Sequence, residues 1–130
     1  MDLTRSILYL LLPLSFILAL IYISQGVIQN FSPYIQVNTL EGANQVIAQG
    51  PVASQAAIKL LGTNGGGFFN ANAAHPYENP SAIINFIQMV TIVLIPSALV
   101  FTFGKMAKHM KHAVSIWITM AILFLVGVFV

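Results

Sequence analysis

The run Gly62-Thr63-Asn64-Gly65-Gly66-Gly67 holds the residue types in this sequence best suited to chemistry. Glycine lacks a Cβ and takes positive φ freely, so successive carbonyl oxygens can be aimed to one side, as in rings that replace the hydration shell of a monovalent cation. Thr63 adds a hydroxyl oxygen, and Asn64 an amide that can strap the loop or offer its own carbonyl. A phosphate-cradling loop is the competing chemistry, but it needs a lysine and a hydroxyl after its last glycine, where Phe68-Phe69 stand. In phosphate loops the glycines also precede a helix. Here they follow one, so a negative C-terminal end faces the loop and suits a cation. A flexible external turn is the plainer alternative.

The remaining polar residues offer less. Lys59, close to the glycines, would repel cations if it faced them, so it is expected to point outward or to pair with Glu41 or Glu78. Glu78 is expected at an outer mouth, where a carboxylate attracts cations, or simply in solvent beside a turn. Phe68, Phe69 and Tyr77 read as packing that braces the loop. His109 and His112 have i, i+3 spacing but no acid or third ligand nearby, and read as an interfacial face rather than a metal site. With no cysteine, disulfides, thiolate catalysis and zinc-thiolate sites are excluded.

These residues must be positioned by membrane elements. Of the 130 residues 58% are hydrophobic and 6% charged, against roughly 25% charged in soluble domains, so lipid is the expected solvent. Residues 3–24 and 82–103 are apolar runs long enough to cross a hydrocarbon core, and 113–130 is a third. The first is too long, and its start too weakly basic, for a cleaved signal. Pro13 and Pro96 lie inside spans, where they free the carbonyls of Tyr9 and Ile92 and predict kinks. Between the first two spans, β-branched residues flank Leu40-Glu-Gly-Ala, predicting a small extended excursion. Pro51 then opens a helix over about 51–61, too short to span, which runs into the glycines at 62–67.

The expected fold is an all-α membrane protein: span, re-entrant pore helix with filter loop, span, plus a third transmembrane helix. Residues 1–104 make one membrane–pore–membrane repeat of the potassium-channel kind, and 105–130 a basic loop and the last helix. Lys105, Lys108 and Lys111 crowd one short connection without an acid, which places it, and the N-terminus, in the cytoplasm. Those three lysines are the only basic cluster, and it lacks the interleaved aromatics of a nucleic-acid groove.

Several segments together carry a specific resemblance: Gln25-Gly26-Val27-Ile28-Gln29-Asn30-Phe31, Gly50-Pro51-Val52-Ala53-Ser54-Gln55, Leu61-Gly62-Thr63-Asn64-Gly65-Gly66-Gly67-Phe68-Phe69-Asn70-Ala71-Asn72 and His75-Pro76-Tyr77-Glu78-Asn79-Pro80. They resemble the potassium-binding and translocating A subunit of the bacterial Kdp potassium-transporting P-type ATPase. The resemblance covers essentially the whole chain, most densely from Gln25 to Gly104. It implies a channel-like subunit of four non-identical repeats in one chain, with this sequence as the second repeat and the opening span of the third. It also implies a filter at Thr63, Asn64 and Gly65, continued by Gly66 and Gly67, with potassium as transported ligand and no organic cofactor.

The implied partners are a catalytic ATPase subunit, a small single-span subunit and a very short fourth subunit, in the bacterial plasma (inner) membrane. No aspartyl-phosphate loop or nucleotide site is present in the sequence, so the subunit is expected to do no ATP chemistry itself. One filter strand supplies one wall of a ring, and the missing pore repeats are expected to supply the others. The chain is therefore expected to be a gene fragment, part of a split subunit, or a self-assembling homotetrameric cation channel. A small accessory or holin-like membrane protein is the reading from another class.

Overall fold

The computed structural model describes residues 2–69 and 71–129. Met1, Asn70 of the glycine-rich motif and Val130, the last residue of the expected third span, lie outside the described residues. The chain divides into two compact units, Met1–Thr91 and Ile92–Val130.

The first unit opens with α1 (Asp2–Ser24), whose side chains after Arg5 are uncharged and mostly apolar. Between Ser6 and Leu11 it winds as a π-helix, and the Leu12 N–H donates to the Ile7 carbonyl five residues back. Pro13 accounts for the place: it offers no N–H to the Tyr9 carbonyl and its ring crowds that oxygen, so the ladder slips by one residue just upstream. The disturbance expected at Pro13 takes this form. At the other end Gly26 (φ 94°) closes α1, with Val27 N–H donating to the Tyr22 carbonyl (3.0 Å) and Gly26 N–H to the Ile23 carbonyl (3.0 Å). This is the paired closure that a left-handed residue after a helix permits.

The expected extended excursion is a hairpin. β1 (Ile35–Asn38) pairs antiparallel with β2 (Asn44–Ile47), Ile35 opposite Ile47 and Asn38 opposite Asn44. Thr39 closes the turn with its backbone N–H to the Ala43 carbonyl (2.8 Å), while its hydroxyl accepts from Ala43 N–H (3.1 Å).

Next comes α2 (Val52–Leu61), which buries Val52, Ala53, Ala56, Ala57, Leu60 and Leu61. Its small residues let it pack closely along α1, the device that membrane helices use where lipid gives no hydrophobic drive between them. Tyr22 of α1 and Ile84 of α3 (Ala82–Met106) complete this core. α3 continues without interruption across Pro96.

In the second unit α3 ends at Met106 and α4 (Met110–Phe129) starts four residues on. The basic connection is thus shorter than expected: Lys105 belongs to α3, and Lys111 and His112 to α4. The turn is closed by His109 N–H to the Gly104 carbonyl (3.0 Å) and Lys108 N–H to the Lys105 carbonyl (3.2 Å), with Lys108 left-handed at φ 55°. A Cβ at Gly104 would collide with the Ala113 methyl. Gly104→Ala is expected to lower stability by about 1–3 kcal/mol through this overpacking, although alanine is the better helix former. A fall in the thermal midpoint of the detergent-solubilised protein checks it, and a rise would show that the turn yields freely.

The three long helices are each long and apolar enough to cross a membrane. Leu3, Phe16, Phe86, Leu123 and Phe124 stand more than half exposed, a surface suited to lipid or neighbouring apolar helices and not to water.

Candidate functional site

α2 has an uncommon start. Its own first residues provide no side-chain cap, and the free N–H groups of its first turn are met from elsewhere in the chain. The Ala53 N–H donates to the Ile28 carbonyl (2.9 Å) and the Ser54 N–H to Gln29 Oε1 (3.0 Å), while Gln29 Nε2 donates to Ser54 Oγ (3.2 Å). Asn30 adds a backbone bond to the Gly50 carbonyl (3.1 Å) and a side-chain bond to Gln49 (2.8 Å). The segment just past α1 therefore holds the head of α2 in place.

From there α2 runs back along α1. Ile58, Leu61, Gly62 and Asn64 line a groove of about 380 Å³ together with Ile7, Leu11, Leu12 and Ser15. The end of the short helix and the start of the glycine loop thus lie level with the middle of an apolar span. Counting from Ser15 to Ser24, that is roughly 14 Å short of the end of α1.

α2 stops by the same paired closure as α1, but with threonine in the left-handed position. Asn64 N–H donates to the Lys59 carbonyl (3.0 Å) and Thr63 N–H to the Leu60 carbonyl (3.3 Å), with Thr63 at φ 54°. A β-branched residue rarely adopts this conformation, and the strain, of order 1–3 kcal/mol, sits at the first candidate ligand. Gly65 follows at φ 77°. The expectation of free positive φ along the glycines is met at Gly65, whereas Gly66 lies outside the left-handed region.

Thr63, Asn64, Gly65 and Gly66 are all exposed and Gly67 half-buried. The Gly65 carbonyl accepts from Asn72 N–H (3.3 Å). Among the described residues the carbonyls of Thr63, Asn64 and Gly66 accept no hydrogen bond. Asn64 folds its amide oxygen back over Gly62, where it would stand 3.0 Å from an added Cβ.

Behind the loop lies a buried ion pair. Lys59 Nζ donates to Glu78 Oε1 at 3.0 Å, with the two side chains 6% and 0% exposed. The same Oε1 accepts from Phe68 N–H (3.0 Å), and Oε2 from Phe69 N–H (3.3 Å). Lys59 takes one of the two partners expected for it. Glu78 is a correction: it is neither at an outer mouth nor in solvent, because three donors draw its carboxylate into the core and compensate its charge there.

The aromatic bracing is as expected. Phe69 stacks on His75 (4.8 Å, 23°) and meets Phe68 and Tyr77 edge-on (5.1 and 5.4 Å). His75, which the sequence reading leaves without a role, joins this cluster. Gln29 and Gln88 are also missed from sequence, since a polar side chain in an apolar context carries no sign of its distant partner. His109 lies in the turn between α3 and α4 and His112 in the first turn of α4, both in the second unit.

Residues 1–130 match the family described as the potassium-transporting ATPase A subunit, KdpA. The chain belongs to this family. Among its curated relatives, the potassium-transporting ATPase potassium-binding subunit of Solibacter usitatus is 61% identical over 127 residues. The proteins of the same name from Nitratidesulfovibrio vulgaris and Methylorubrum extorquens are 59% and 60% identical over 126 and 127 residues. These alignments take in 97–98% of this chain and 22% of each relative, so the chain spans about a fifth of the KdpA proteins it matches. With three membrane-length apolar helices, this KdpA-family chain is a multi-pass membrane protein.

Proposed function

We propose that the chain forms one pore repeat, residues 1–104, of a potassium-binding subunit, with Thr63, Asn64, Gly65, Gly66 and Gly67 as one wall of its selectivity filter. The observation that carries this is the depth of the glycine loop, level with the middle of α1 and beside the groove shared with Ile7 and Ser15. Irregular backbone is tolerated there only against protein or a water-filled path. The carbonyls of Thr63, Asn64 and Gly66, which accept no hydrogen bond among the described residues, and the negative end of α2 supply what a dehydrating monovalent cation needs. Three further strands complete the ring, from other repeats of the subunit.

Potassium is the transported ligand, and the chain performs no ATP chemistry of its own. A catalytic ATPase subunit, a small single-span subunit and a very short fourth subunit complete the complex. The subunit lies in the bacterial inner membrane with its N-terminus cytoplasmic, because Lys105, Lys108 and Lys111 cluster at the α3–α4 turn.

Cysteine at position 64 tests the placement. In an assembled transporter carrying Asn64→Cys, an impermeant thiol reagent is expected to label slowly, and more slowly still as potassium rises. Rapid labelling indifferent to potassium would identify the loop as an external turn.

A further inference from the structure

Glu78 is buried where a transport pathway has no direct use for it, and its contacts suggest another task. Its carboxylate is grasped by two consecutive backbone N–H groups, those of Phe68 and Phe69, at 3.0 and 3.3 Å. Consecutive amides form a concave anion site, and here the anion is the protein's own side chain. Each amide belongs to a planar trans peptide whose carbonyl points opposite to its N–H. Turning the Phe68 N–H onto Glu78 therefore turns the Gly67 carbonyl away from the core, and the Phe69 N–H does the same for the Phe68 carbonyl.

Glu78 is itself held at its carboxylate and at its backbone. Lys59 Nζ fixes Oε1 from the last turn of α2. Gln88 of α3 donates from Nε2 to the Glu78 carbonyl (2.9 Å), and the Glu78 N–H donates to the His75 carbonyl (2.9 Å). Helix α2 and the end of the glycine strand thus meet at the Glu78 carboxylate, and helix α3 holds the same residue by its backbone.

We propose that Glu78, anchored by Lys59, is a positioning residue of the filter strand, setting the direction of the Gly67 carbonyl and hence the apparent affinity and selectivity for potassium. This rests on the reading of residues 63–67 as a filter wall. It differs from a purely structural ion pair in one respect: the group facing Phe68 and Phe69 must be an acceptor.

Charge reversal separates the two. In the assembled ATPase complex, the double variant Lys59→Glu/Glu78→Lys keeps opposite charges in contact but places an ammonium, which cannot accept, before the two amides. Apparent potassium affinity, read from potassium-stimulated ATP hydrolysis, is expected to weaken roughly tenfold, the scale of one lost charge-assisted hydrogen bond. The maximal rate at saturating potassium is expected to hold, and discrimination against rubidium and sodium to fall. Affinity and discrimination equal to the parent overturn the proposal.

Should the reversed pair not assemble, the neutral double Lys59→Met/Glu78→Gln decides. It leaves one acceptor oxygen and no charge, and a smaller weakening of affinity with the same maximal rate is expected, while an unchanged affinity overturns the proposal. Gly65→Asp measured alongside separates the two readings. If it alters discrimination while the pair variants do not, the positioning role fails and the filter stands; if it too changes nothing, the filter reading fails and the positioning proposal with it.

Discussion

Gly65→Asp in an assembled transporter is expected to abolish discrimination between potassium and other alkali cations and to shift apparent potassium affinity by roughly tenfold or more. Two effects combine. Gly65 sits at φ 77°, where a residue with a Cβ is disfavoured by about 1–2 kcal/mol, so the strand is pulled from its path. On the proposed filter reading, the new carboxylate also adds a fixed full charge beside carbonyl dipoles that would select by number and field strength, and it attracts a cation whatever its size. Among the described residues space is not the obstacle, since a Cβ there meets Asn72 Oδ1 at an ordinary 3.6 Å. The complex should therefore assemble, and the loss should appear as stimulation of ATP hydrolysis by sodium and rubidium as well as potassium. Gly65→Ala isolates the backbone part and is expected to have the weaker effect. A parental selectivity profile for Gly65→Asp would remove the residue from the filter.

Lys59→Met is expected to act on folding instead. It leaves Glu78 fully buried with its charge met, among the described residues, by the Phe68 and Phe69 amide N–H groups, and stripping one partner from a buried pair costs about 3–5 kcal/mol. That is a large part of the stability of most domains. The amount of assembled complex recovered from membranes should fall severely. Lys59→Met/Glu78→Gln should recover much of it, because removing both charges also removes the uncompensated one. Recovery equal to the parent for Lys59→Met alone would mean that water reaches Glu78. On sequence grounds replacing Lys59 ranks well below replacing Gly65. Burial of the pair raises its expected cost to stability, while Gly65 keeps the larger expected effect on selectivity.

The sequence determined by itself whatever depends on neighbouring residues. Three apolar runs of spanning length, a ten-residue helix opened by Pro51, a small extended excursion around Leu40-Glu-Gly-Ala and a glycine loop at the end of α2 follow from hydropathy, helix propensity and turn chemistry, all local properties. The residue types of the candidate filter, Thr63 to Gly67, belong to the same class. Tertiary structure decided what depends on distant partners. Gln29 caps a helix 25 positions on, Lys59 finds Glu78 rather than Glu41 across 19 positions, and Gln88 fixes Glu78 from α3. A carboxylate followed by asparagine and proline reads as solvated from its neighbours alone. It is buried because Phe68, Phe69 and Lys59 converge on it, and only the folded chain brings those donors together to offset the cost of taking a charge out of water.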